Sequence, residues 1–67
     1  MQFNIRALRQ AHGVSLVWLA KELGIHRATL WSYEEGKTQP PVSLYFQLAH
    51  IFHLPIEEIL PKETHAS

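Results

Sequence analysis

The chain has no cysteine among its 67 residues, so neither a disulfide framework nor a thiolate metal site can hold it together. It carries no net charge at pH 7, with six cationic and six acidic side chains, which argues against a strongly basic nucleic-acid-binding tail. No apolar run approaches the roughly 20 residues that span a bilayer. The first ten residues, "MQFNIRALRQ", lack the apolar stretch of a secretory signal. These absences lead to the expectation of a soluble protein of a reducing cytoplasm, with no membrane association. Internal repeats and low-complexity tracts are missing as well.

What is present is a small core and an uneven distribution of charge. Hydrophobic residues make up 46% of the chain, enough for one core. A chain this short nevertheless buries only about 60% of the surface its unfolded form exposes. Close helix packing, supplemented by self-association, is the expected source of stability. Residues 1–40 hold Arg6, Arg9, Lys21, Arg27 and Lys37 against Glu22, Glu34 and Glu35, a net +2, whereas residues 41–67 hold Lys62 against Glu57, Glu58 and Glu63, a net −2. A polyanion would be met by the first part of the chain.

Apolar spacing follows a helical period. Ile5 and Leu8 stand three apart ahead of Gly13, a residue suited to a helix C-terminus. Ser15 is a good N-cap for a second helix, in which Leu16, Leu19, Ala20 and Leu23 follow an i, i+3, i+4, i+7 pattern. Gly24 ends that helix. A third restarts at His26 and runs to about Glu34, stopping before "EGK", and "TQPP" is a rigid loop. A fourth spans roughly Val42 to Phe52, with Tyr45, Leu48, Ala49 and Phe52 inward, and "HLP" breaks it. "IEEIL" forms a last short turn with Ile56, Ile59 and Leu60 apolar. The expected architecture is an all-α, compact five-helix domain over residues 1–61, followed by a frayed tail over 62–67.

Two short helices joined by a three- to four-residue turn with glycine make a helix-turn-helix, and "SLVWLAKELGIHRATLWSYE" meets its requirements. Ala20 is small enough for the second helix to approach the first. Gly24 permits the backbone angles of the turn. Ile25 and Leu30 anchor the second helix, leaving Arg27, Ala28, Trp31 and Ser32 facing away from the core. A helix held across its support in this way can set its N-terminal residues against base edges in the major groove.

On these pieces the chain resembles the Xre-type helix-turn-helix proteins, the group of lambda repressor and Cro. The resemblance covers about residues 4–60 and rests on "IRALRQAHG", "SLVWLAKELGI", "TLWSYEEGKTQP" and "LAHIFHLPIEEIL" in that order. It implies a lambda-repressor-like fold and a sequence-specific DNA-binding transcriptional regulator, a repressor of bacterial or phage origin. Such a protein binds a near-palindromic operator in double-stranded DNA as a homodimer, with half-sites about 34 Å apart.

The resemblance also assigns roles. An arginine late in the first helix pairs with a glutamate ending the recognition helix, here Arg9 and Glu34, a structural ion pair. Base reading falls on His26, Arg27, Ala28 and Ser32. Arg27 can donate twice to guanine O6 and N7, with a contact to phosphate alone as its alternative. Ala28 has no hydrogen bond to offer but fits a thymine methyl. His26 either donates to a phosphate or guanine or stands in for the usual N-cap serine, and Ser32 is a generic donor. Contacts to the DNA backbone fall on Ser15 and Leu16, then on Lys37, Thr38 and Gln39, with Thr29 and Trp31 joining them from the recognition helix. Family dimers use the C-terminal end, here Ile51, Leu54, Ile56, Glu57 and Leu60.

The sequence departs from the commonest family pattern in placing Leu16 where glutamine follows the serine. The change removes one phosphate donor and offers a side chain to the core. Trp18, third in its helix, excludes a capping box. Two readings of Trp18 and Trp31 stay open. In one they contact the sugar-phosphate backbone, apolar base edges or a protein partner. In the other they fold over the domain's own surface. Exposed apolar area at Val17, Trp18 and Trp31 together would mark an interaction site. It motivates a second function, a helix-turn-helix protein-interaction module such as an antitoxin or anti-repressor. His50 and His53 stand three apart but lack a nearby third ligand, so no metal is expected. Glu57 and Glu58 diverge on a helix, and no nucleophile–base arrangement or phosphate-cradling glycine loop is present. Neither enzymatic activity nor a cofactor is expected.

Overall fold

The computed structural model describes residues 4–60. All regular structure among them is helical: α1 (Ile5–Ala11), α2 (Leu16–Leu23), α3 (Arg27–Glu35), α4 (Val42–Phe52) and α5 (Ile56–Ile59). This is the all-α, five-helix architecture that the apolar spacing predicts. The tail expected over 62–67, and the last residue of the expected domain, 61, lie outside the described residues.

Side-chain caps start the first two helices. The Asn4 carboxamide oxygen accepts from the Ala7 N–H at 3.1 Å, and Ser15 Oγ accepts from the Trp18 N–H at 3.0 Å. Each bond satisfies one of the main-chain donors that a helix N-terminus leaves without a partner. α3 starts one residue later than its pattern suggests. His26 has extended backbone (φ −70°, ψ 146°) and forms the N-cap with no capping hydrogen bond from its side chain.

The ends of α2 and α3 are closed by left-handed glycines, Gly24 at φ 73° and Gly36 at φ 77°. In both, the next N–H reaches back across the turn, Ile25 to Ala20 O and Lys37 to Ser32 O, each at 3.0 Å. α4 closes the same way without glycine: His53 takes φ 57° and the Leu54 N–H donates to Ala49 O at 2.9 Å. A left-handed residue with a Cβ costs about 1–2 kcal/mol. Burial of Phe52 beside it, with the His12 ring tilted against the Phe52 ring at 4.4 Å between centroids, opposes that cost.

The core is built from one side of every helix. Leu19, Leu30, Leu48 and Ile59 have no exposed surface, and they come from α2, α3, α4 and α5 in turn. Ile5 joins them from α1. α4 contributes most, through Leu44, Tyr45, Leu48, Ala49 and Phe52. Ala20 is buried in α2, and its small side chain lets α3 cross close to its support. α3 therefore commits Leu30 to the core and leaves its opposite side free.

Candidate functional site

The outward side of α3 is set by position in the helix. With Leu30 inward, Ala28 and the residues around it point away, and Arg27, Ala28 and Trp31 are exposed while Thr29 and Ser32 are half-buried. Arg27 is the first residue of the helix and His26 its exposed cap. Beyond the other end, Lys37, Thr38 and Gln39 are all exposed. Lys37 Nζ lies 5.3 Å from the centre of the Trp31 ring, within range of a cation–π attraction. Trp31 itself is 44% exposed, so it does not fold away over its own domain. Trp18 is similar at 41%.

The opposite edge of α3 carries a partly buried ionic cluster. Arg9 Nε donates to Glu34 Oε2 at 2.8 Å and Arg9 Nη2 to Glu34 Oε1 at 3.2 Å, a fork-on-fork pairing. Arg6 Nε donates to Glu34 Oε1 at 3.1 Å and its Nη2 to Glu35 Oε2. Arg9 Nη1 also donates to Val14 O at 3.2 Å, tying the turn before α2 to the same cluster. The Glu34 side chain is 1% exposed and that of Arg9 15%, so what exposure Glu34 retains lies in its main chain. Hydrogen bonds that Arg6 donates to Glu35, then to Glu34, raise the pKa of its guanidinium above the ordinary value, so it keeps its charge. Burial raises the phenol pKa of Tyr45 in the core nearby.

This cluster changes the charge balance of the face. Two arginines and two glutamates neutralise one another between α1 and α3. The remaining cations of the first forty residues are Lys21, Arg27 and Lys37 against Glu22. Two of those three stand at the start of α3 and just past its end. The excess of positive charge is thus concentrated where α3 faces outward.

At the start of α2, Ser15 is exposed, and its hydroxyl keeps a proton to donate while its oxygen accepts from Trp18. The Leu16 side chain packs against the core. What Leu16 can present outward is its main-chain N–H, one of the donors that a helix start leaves without an intrahelical partner. At the C-terminal end, Ile51, Leu54, Ile56 and Leu60 are half-buried against the protein's own core, and Glu57 is exposed.

A profile of the helix-turn-helix domain family matches residues 4–60, all of the described chain. The chain belongs to the Xre/Cro-like helix-turn-helix family. Among its relatives, an HTH-type transcriptional regulator of Archaeoglobus fulgidus is 34% identical over 59 residues, covering 88% of this chain and 84% of the relative. One from Methanocaldococcus jannaschii is 36% identical over the same length, 88% of this chain and 89% of the relative. The crystal structure of a transcriptional regulator from Listeria innocua superposes with a TM-score of 0.76 at 29% identity over 96% of this chain. The chain spans 62% of that Listeria protein. These relatives are archaeal as well as bacterial.

Within this Xre/Cro-like unit, several residues of consequence escape a reading of the sequence. Arg6 shares Glu34 with Arg9, and its only signal is the i, i+3 spacing that puts the two arginines on one side of α1. Asn4 caps α1. Val42 and Phe46, 61% and 53% exposed, form an i, i+4 apolar pair on the outside of α4. In a helix as apolar as "VSLYFQLAHIF" the buried and exposed stripes are hard to separate by pattern. Phe46 lines a shallow depression with Glu22, Gln47, His50 and Ile51. No helix among the described residues is long and apolar enough to cross a membrane.

Proposed function

We propose that this protein is a sequence-specific transcriptional repressor that binds a near-palindromic operator as a homodimer, with α3 in the major groove. The observation that carries this reading is the outer face of α3. Arg27 is exposed at its first turn and Lys37 beyond its end, and the two glutamates of the helix are already matched by Arg6 and Arg9. An outward face that is cationic in a neutral chain suits a polyanion.

On this reading Arg27 donates its fork to a guanine, and Ala28 and Ser32 complete the base contacts with His26 at the margin. Ser15, the Leu16 N–H, Thr29, Lys37, Thr38 and Gln39 hold the DNA backbone on either side and set the register. Two copies joined through Ile51, Leu54, Ile56, Glu57 and Leu60 place their recognition helices one DNA turn apart, about 34 Å. Phe46, which shares a depression with Ile51, extends that surface along α4. Few cations face the phosphates, so affinity falls with salt gently. Anisotropy titration against a random duplex library tests the reading: selection of one palindromic site supports it, and equal affinity for every sequence overturns it.

A second reading is favoured by the exposure of Val17, Trp18 and Trp31, at 52%, 41% and 44%. Large exposed apolar groups on one small domain suit a protein-interaction module of the antitoxin or anti-repressor kind. There, Trp31→Ala abolishes capture of the partner while Arg27→Ala leaves it intact. A regulator of DNA loses more operator affinity with Arg27→Ala than with Trp31→Ala.

A further inference from the structure

Ala28 and Trp31 stand three apart on α3 and are therefore neighbours on its surface. Both are exposed, between Arg27 on one side and Ser32 on the other. Together they make an apolar strip along the middle of the face assigned to base reading, and the role inferred for the strip rests on that assignment. Ala28 has no polar atom in its side chain. Trp31 has one N–H at the ring edge and otherwise a broad apolar surface. Lys37 sits over the ring at 5.3 Å from its centre. A cation on one face restrains the ring's orientation and leaves the other face and the edge for a ligand.

The major groove holds few groups that such a strip can use. Its base edges present N7, O6 and O4 as acceptors and N4 and N6 amino groups as donors. The one apolar group among them is the C5-methyl of thymine. Pressing an indole face against an acceptor or amino group strips it of water without replacing its hydrogen bond, which is unfavourable. Pressing it against a methyl group is favourable. We propose that Trp31, with Ala28 beside it, reads a pyrimidine C5-methyl group: a thymine next to the guanine taken by Arg27. The same pocket takes 5-methylcytosine in place of that thymine, which makes recognition sensitive to cytosine methylation at that position.

The test begins with an operator recovered by selection from a random duplex library with the wild-type homodimer. Each thymine is then replaced by deoxyuracil, which removes the methyl and nothing else. Wild type should lose about fourfold in affinity at one thymine per half-site, the worth of one buried methyl. The Trp31→Ala variant should bind thymine and uracil duplexes equally. Placing 5-methylcytosine there should bind more tightly than cytosine for wild type alone. Because Trp31 lies outside the core, the variant should stay cooperatively folded, its unfolding temperature lower by no more than about 8 °C, which separates lost recognition from lost folding. The assignment is overturned if no uracil substitution weakens wild-type binding, or if Trp31→Ala keeps the thymine preference. Failure to select any sequence has a different meaning: it overturns the DNA reading beneath the assignment, and the assignment with it.

Discussion

The two edges of α3 put the same kinds of residue to opposite uses. On one edge, Glu34 is enclosed with Arg9 and Arg6, its carboxylate accepting three N–H groups and its side chain almost without exposure. On the other, Arg27 is exposed at the first turn, and Trp31 stands beside Lys37 in solvent. Charge on the enclosed edge is balanced within the molecule and positions the helix. Charge on the open edge is unbalanced and available to a ligand. Neutrality of the whole chain therefore says little about the face that works.

The contrast is sharpest if the enclosed edge governs stability alone and the open edge recognition alone. Arg9→Met tests the first half. It leaves the carboxylate of Glu34 in place with Arg6 as its remaining cation, and removal of one member of a buried pair costs about 3–5 kcal/mol. Arg9 keeps some exposure, so the low end, about 3 kcal/mol, is expected in chemical denaturation. The operator affinity of the folded protein should change little.

Arg27→Ala tests the other half. It should weaken operator binding by about 1–3 kcal/mol, the worth of a bidentate guanine contact, and relax selectivity at that base pair. Unfolding free energy should stay within about 0.5 kcal/mol of wild type, as for an exposed residue. A large stability loss with unchanged affinity would abolish the division between the edges.

Arg6→Ala grades the enclosed edge. Its side chain is 38% exposed against 15% for Arg9, so water screens its pairs and takes the place it vacates. Denaturation should show a clearly smaller loss than for Arg9→Met. Equal losses would mean that the four-residue network acts as one unit. Lys37→Gln should have the smallest effect: the slope of log affinity against log salt falls by about one, with nearly uniform weakening across sequences. Release of the Trp31 ring adds at most about 0.5–1 kcal/mol to that change.

Much of the fold was legible because its signals are local. Ser15 before an i, i+3, i+4, i+7 run, and Gly24 and Gly36 after their helices, mark ends through bonds spanning a few residues. Tyr45, Leu48, Ala49 and Phe52 of α4 could be named as inward from spacing, whereas buried Leu44 and exposed Val42 and Phe46 could not be told apart in so apolar a helix. The candidate site was legible only in part. The outward set on α3 follows from placing Leu30 inward. The link between Arg9 and Glu34 comes from family resemblance, and Arg6, 28 residues from Glu34, is signalled only by its i, i+3 spacing from Arg9. Leu16 could be read as a site residue or a core residue, and its packing against the buried cluster puts the side chain with the core. The openness of Trp31 and Trp18 could not be read either, because an aromatic at helical spacing looks alike whether it is covered or not.

Where the helices begin and end, and which side of each is apolar, is written in the order of residues, since capping and periodicity act within one or two turns. Which charges cancel was settled only by the packing of the helices. Crossing α1 over α3 brings two arginines onto two glutamates and leaves Arg27 and Lys37 uncompensated. Pairing at that range depends on how helices cross in space, and no local pattern along the chain encodes it.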